Sequence, residues 1–214
     1  MIPIAGIQRF TTVDFPGALS CVFFTQGCPW RCRYCHNSDL QKFSSSSLDE
    51  SWNAALQFLH TRKDCLEAVV VSGGEATAHA ALPLALAQIR QLKFKTGLHT
   101  AGIYPERLKA TLPLLDWVGF DLKAPLDHRY DQITQIKNSA EAVKKSLLYV
   151  LQSGVSVQLR CTFHPLLLND EALETMRNEL SGLGFSTPLV LQKFQSQGCQ
   201  DSELNEFSPL SVSL

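Results

Sequence analysis

Apolar residues gather in six short, β-rich runs along the chain. They are Leu19–Phe24, Ala68–Ser72, Gly97–Thr100, Trp117–Asp121, Val155–Thr162 and Leu189–Phe194. Most of the intervals between them carry apolar residues at helical spacing. Ser47-Leu-Asp-Glu50 resembles a capping box and predicts a helix through about Arg62. His79–Lys93 has the helical period, and Pro105–Leu115 starts with Pro at a first turn. Ser139–Gln152 stops at Ser153-Gly154, and Asn169–Leu180 stops before Gly182 and Gly184. Strand alternating with helix implies a parallel sheet with right-handed crossovers. Eight such units close a barrel of about 250 residues. A chain of 214 residues has room for about six. The expected fold is therefore α/β: a partial (β/α)6 TIM-like barrel with parallel strands, open along one side. It should occupy residues 1–198 as one domain, with Ser44–Ser47 a brief linker. Gly198–Leu214 is polar and Ser-rich and reads as a loosely held tail, placed as 199–214 outside the domain.

Composition narrows the partners. With 45% hydrophobic residues the chain can bury one sizeable core. Nineteen basic and 20 acidic side chains give a formal net charge of −1, so no bulk attraction to nucleic acid or to an anionic membrane is expected. The N-terminal Met1-Ile-Pro-Ile-Ala-Gly-Ile has no basic segment before an apolar one, and no apolar run nears the ~20 residues of a membrane span. A cytoplasmic location is expected. Seven cysteines without an export signal argue against a disulfide framework. Cys21, Cys65 and Cys161 are expected to pack as small buried hydrophobes, and Cys199 has no evident role.

The remaining three, Cys28, Cys32 and Cys35, fall within Gly27-Cys-Pro-Trp-Arg-Cys-Arg-Tyr-Cys-His-Asn37. An iron–sulfur cubane normally takes four thiolates. Three would leave one iron open, and an open metal position is where chemistry occurs. A structural zinc site of Cys28, Cys32, Cys35 and His36 is the plainer alternative, since Cys3His is a legal ligand set. Two features weaken it: His36 directly follows Cys35, and no second pair of ligands exists elsewhere. Unliganded thiols are the third reading. The candidate motifs also follow the rule that working residues collect at the C-terminal ends of barrel strands. The cysteine loop follows the first run, Gly73-Gly-Glu75 the second, and Asp121-Leu-Lys123 ends the fourth.

Cys28-x3-Cys32-x2-Cys35, with Tyr34 before the last Cys, resembles the signature of the radical S-adenosylmethionine superfamily. Thr11–Gly17, Phe24–Cys28, Cys35–Asn37, His99–Pro105, Gly119–Pro125 and Val155–Pro165 resemble the activating proteins of anaerobic ribonucleoside-triphosphate reductase. The likeness spans about residues 4–198. It implies a 4Fe–4S cluster held by the three cysteines, with S-adenosylmethionine chelated at the open iron. An electron from a reduced flavodoxin or ferredoxin-type donor would break the S–C5′ bond. The resulting 5′-deoxyadenosyl radical would take a hydrogen atom from a glycine of the partner, a glycyl-radical enzyme. Small-molecule chemistry of the carboxy-deazaguanine synthase type, another glycyl-radical enzyme as target, an electron carrier without S-adenosylmethionine, and a zinc-binding structural module are the rivals.

The resemblance also assigns supporting residues. Gly73, Gly74 and Glu75 would grip the methionine amino group, Gly for close approach and Glu75 as a charge-assisted acceptor; the Pro usual after the Glu is here Ala76. Backbone at Tyr34 and His36 would flank the adenine. Thr100 opens a turn at the cofactor edge, preceded by His99 where related activases often have an Asp that holds a monovalent cation, so no such site is expected. Asp121 and Lys123, two apart on one strand face, would lie near the cofactor carboxylate and the substrate pocket and are the catalytic candidates; a surface ion pair is the alternative. Arg160, a charge inside an apolar strand, needs a partner: a cofactor or substrate carboxylate, or an internal salt bridge. Trp30 would shield the cluster or simply pack in the core.

Overall fold

The computed structural model describes residues 1–43 and 48–207. Among them lie seven strands: β1 (Ile4–Thr11), β2 (Ser20–Thr25), β3 (Ala68–Gly73), β4 (Lys95–Thr100), β5 (Trp117–Leu122), β6 (Ser156–Phe163) and β7 (Leu189–Lys193). They form one sheet in chain order. β2 to β7 are parallel, and β1 runs antiparallel against β2. Helices α1 (Leu48–His60), α2 (Leu82–Gln91), α3 (Pro105–Thr111), α4 (His128–Thr134), α5 (Ser139–Ser153) and α6 (Asp170–Leu183) fill the crossovers, and α7 (Ser202–Glu206) follows β7. β1 and β7 end the sheet without pairing to each other. The six expected parallel strands are present, and the barrel is open along one side.

Strand alternation divides the core in two. On β5, Val118, Phe120 and Leu122 pack outward into the large cluster beneath the helices, with Leu98 of β4 and Leu159 and Cys161 of β6. Trp117 points inward and joins Phe15, Ala18, Val22, Ala68 and Val70 in a smaller cluster. That inner cluster plugs the barrel: Phe15, from the loop between β1 and β2, stacks on Trp117 at 5.7 Å. The same inward register on β4, β5 and β6 carries His99, Asp121 and Arg160 above the plug.

Several sequence expectations change. β1 adds a strand to the six apolar runs; it is mostly exposed or half-buried and shows no clean alternation. Cys65 is exposed rather than packed, because it lies in the turn after α1, whereas Cys21 and Cys161 are buried. The Ser44–Ser47 linker and the expected cap at Ser47 lie outside the described residues. α4 is short and starts on Asp127, whose carboxylate accepts from Arg129 N. The polar stretch after Gly198 is not loose as far as it is described, through Phe207: Cys199 and Leu204 are buried.

Candidate active site

The cysteine loop leaves the C-terminal end of β2 and is held mostly by backbone hydrogen bonds. Gly27 N donates to Leu40 O at 2.7 Å and Cys28 N to Gln41 O at 3.1 Å. Arg31 N and Arg33 N donate to Thr134 O and Ile133 O at the end of α4. Arg31 Nη1 folds back on the carbonyls of Cys28 and Trp30, both at 2.8 Å. Trp30 is buried edge-on to Tyr130 at 5.9 Å and also lines the cavity. The thiols are free. Burial, with Glu75 nearby, pushes Cys28 up to about 12. Burial pushes Cys32 up to about 11 against the pull of Lys123. Such thiols ionise when a metal's charge is beside them.

Gly73 and Gly74 seat β3 against this loop. Gly73 has φ +117°, and a Cβ there would lie 2.2 Å from Thr25 N. A Cβ at Gly74 would lie 2.3 Å from Gly27 O. The pair lets the end of β3 approach the cysteine loop closely while both glycines line the cavity: Gly74 N donates to Thr25 O and Glu75 N to Gly27 O, each at 2.9 Å. Glu75 is 2% exposed. Its Oε1 accepts from Thr77 N (3.1 Å), Thr77 Oγ1 (2.6 Å) and Thr100 Oγ1 (2.7 Å), and its Oε2 from Ala101 N (3.0 Å). Each carboxylate oxygen offers about two acceptor positions, and Oε2 takes only Ala101 N, so it keeps capacity for one more donor. Thr100 also accepts from Gly102 N at 3.0 Å; its hydroxyl positions Glu75.

Opposite lies a charged floor. Arg160 donates to Asp121 Oδ1 from Nε and Nη2, both at 2.8 Å, and Lys123 Nζ lies 3.9 Å from Asp121 Oδ2. Arg160 is therefore in an internal salt bridge, and Asp121–Lys123 is no surface pair. Room for the guanidinium comes from Gly119, where a Cβ would sit 2.8 Å from Arg160 Cζ. Arg160 Nη1 also lies 3.1 Å from His99 Nε2, and His99 Nε2 is 3.3 Å from Asp14 O. A guanidinium only donates and a carbonyl only accepts, so Nε2 serves Arg160 in one tautomer of the ring and Asp14 O in the other. Burial and Arg160 hold His99 down to about 4, consistent with a neutral ring. Burial pushes the Asp121 carboxyl up, but Arg160, Lys123 and His99 outweigh it and hold it below its usual range. Burial likewise pushes Lys123 down, and Asp121 with the thiols reverses this, so the ammonium persists.

These groups converge on one cavity of about 390 Å³. Its lining includes every residue singled out from the sequence: Cys28, Cys32, Cys35, Tyr34, His36, Gly73, Gly74, Glu75, Thr100, Asp121, Lys123 and Arg160. Sequence reasoning missed Asp14, Gln192, Lys193 and Gln195, which also line it. The Tyr34 hydroxyl is buried there without a hydrogen-bond partner, and Lys123 Nζ lies 5.6 Å over its ring. Among the described residues, no three Cys, His, Asp or Glu side chains are grouped to hold a single metal ion. Cys28, Cys32 and Cys35 share the wall of the one cavity, and three thiols fit an iron–sulfur cluster held at three corners.

The profile of the radical SAM superfamily matches residues 22–180. The chain is 26% identical over 212 residues to MJ1227 of Methanocaldococcus jannaschii, whose name assigns it to the glycyl-radical enzyme activating enzymes; the match covers 95% of this chain and 84% of that one. It is 32% identical to the pyruvate formate-lyase-activating enzyme of Clostridium pasteurianum over 98% of this chain and 87% of that one. Among solved structures, Streptococcus suis SuiB bound to S-adenosylmethionine superposes with TM-score 0.65 at 14% identity, covering 81% of this chain and 40% of that one. QueE from Escherichia coli gives TM-score 0.59 at 19% identity, over 92% and 85%; both likenesses concern the fold. The chain belongs to the radical SAM superfamily, whose cofactors are a 4Fe–4S cluster and S-adenosylmethionine. It is an enzyme of that superfamily, and its curated relatives are glycyl-radical-enzyme activating enzymes. Among the described residues, no helix is long and apolar enough to cross a membrane.

Proposed function

We propose that this chain is an activase that installs a glycyl radical on anaerobic ribonucleoside-triphosphate reductase. The observation that carries the reading is the single cavity walled by three free cysteine thiols, a buried Glu75 with one acceptor position to spare, and the Arg160–Asp121–Lys123 floor. Cys28, Cys32 and Cys35 would hold the cluster. Glu75 Oε2, oriented by Thr77, Thr100 and Ala101 N, would accept from the cofactor ammonium. Lys123 and Arg160 against Asp121 leave one net positive charge, suited to a carboxylate. Asp121 and Lys123 would face the substrate, and the loop around Tyr34 and His36 the adenine. When bound, the two cofactors supply one-electron cleavage of the sulfonium and hydrogen-atom abstraction. The cavity's buried walls would exclude water from that step.

The activase reading draws on the curated relatives. The reductase as target draws on the motifs around Thr11–Gly17, His99–Pro105 and Gly119–Pro125. A reduced flavodoxin or ferredoxin would supply the electron in the cytoplasm, and residues 1–198 would form the catalytic domain. The test is anaerobic reconstitution with iron and sulfide, then reduction with S-adenosylmethionine in the presence of an anaerobic ribonucleotide reductase or a pyruvate formate-lyase. The expected outcome is 5′-deoxyadenosine and a glycyl electron-spin signal with the reductase, both lost in Cys28→Ala. A glycyl signal only on the lyase would move the target. Bound zinc without acid-labile sulfide would end the reading.

A further inference from the structure

The C-terminal segment closes back on the cysteine loop at every turn. Gly198, φ +80°, sits so near the loop that a Cβ would lie 2.0 Å from His36 O, and Ser38 Oγ donates to Gly198 O at 2.8 Å. The Cys199 thiol donates to Arg33 O at 3.3 Å. Arg33, between Cys32 and Cys35, sends Nε to Asp201 at 2.7 Å and Nη2 to Glu203 at 2.6 Å. The segment is in turn fixed to the barrel. Leu204 is fully buried, its carbonyl lies 3.2 Å from His164 Nε2, and Asn205 Nδ2 donates to Cys199 O at 2.9 Å. The loop's other side-chain ties, from Arg31 and Gln26, reach carbonyls of the same loop, and its further contacts run through backbone.

We infer that residues 198–206 are a clamp that positions the cluster loop, with Arg33, Asp201 and Glu203 as its positioning residues for metal retention. Two carboxylates on one guanidinium from opposite ends of the chain fix the loop between its second and third thiols. Without them, the Cys32–Cys35 turn could open, and thiolates that separate release iron. Raised salt should loosen the clamp, since Glu203 is largely exposed and screened charges attract less.

The inference rests on the cysteine assignment above. It is tested on the full chain, with and without reconstituted cluster. The variant Asp201→Asn/Glu203→Gln keeps shape and removes both charges. Iron loss to a chelator, followed at 410 nm, should be on the order of tenfold faster than in the unsubstituted protein, the value of one or two charge-assisted hydrogen bonds. Amide exchange of the apo-protein should accelerate in residues 31–38 while β3 to β5 stay protected. Arg33→Gln should speed iron loss by a similar factor, and combined with Asp201→Asn/Glu203→Gln it should add little, since both remove the same contacts. Iron loss at the unsubstituted rate, uniform acceleration of exchange, or fully additive effects of the two sets would overturn the clamp. Failure of the unsubstituted chain to take up iron and sulfide would instead overturn the cysteine assignment.

Discussion

Replacing Arg160 by Met removes the guanidinium and keeps most of the stem's volume. Asp121 then loses two charge-assisted hydrogen bonds of 2.8 Å and retains only Lys123 Nζ at 3.9 Å. Breaking a buried ion pair on one side typically costs about 3–5 kcal/mol. The Asp121 side chain is 27% exposed, and water and Lys123 recover part of that, so the expected cost is about 2–3 kcal/mol. For a chain of this size that lowers Tm by roughly 5–10 °C. Urea unfolding of the apo-protein at pH 7 measures it. Adding Asp121→Asn removes the orphaned charge, so the double variant should be less destabilised than the sum, with a coupling of about 1–2 kcal/mol. The sign of the pH dependence follows from the depressed Asp121 carboxyl. Its stabilisation is present above the ordinary value of 3.8 and is lost as pH falls through the lower folded value. In Arg160→Met burial is opposed by fewer charges, so the folded value rises toward or past the ordinary one and the acid loss shrinks. A single variant within ~0.5 kcal/mol of the unsubstituted protein, or an additive cycle, would refute the internal ion pair as a stabilising contact.

His99 titrates the other way. Its folded value of about 4 lies below the ordinary 6.5, so the unfolded chain takes the proton first and stability falls as pH drops from about 6.5 to 4. His99→Gln should flatten that descent by about 2 kcal/mol, read from unfolding curves at pH 7, 5.5 and 4; parallel curves would show that the folded ring protonates freely. Gly74→Ala places a Cβ 2.3 Å from Gly27 O and should cost about 2–4 kcal/mol, with reduced iron uptake on reconstitution. Gly182→Ala, where nothing lies within 4 Å, is the control and should be neutral or stabilising; an equal loss in both would contradict the packing argument.

The parallel barrel was legible because each of its strands is a compact apolar run between helical periods. β1 was not, because Gln8, Arg9 and Thr11 give it no apolar period and its pairing with β2 is broken by register shifts. The cavity residues were readable as motifs, but their relations were not. Glu75 is fixed by Thr77, two residues on, and by Thr100, 25 residues on. Nothing in the local sequence signals that second contact. The glycine pair is readable as a motif, but its close approach to Thr25 and Gly27 is not. Arg160 left two readings open because its partner, Asp121, lies on the neighbouring strand at the paired register. The polar C-terminal stretch misled because its anchors are charges and carbonyls rather than an apolar face.

β1 has a consequence for behaviour at high concentration. β2, Ser20–Thr25, has four apolar residues among its six and is buried at all but Phe24, and its outer side would otherwise offer unpaired amides and carbonyls to any neighbouring molecule. β1 occupies that side, and its register shifts at Ile4/Gly6 and Gln8/Thr11 make the new boundary irregular, a poor template for intermolecular strand addition. Eight residues outside the cavity lining thus blunt one of the two edges of the sheet, leaving β7 as the other.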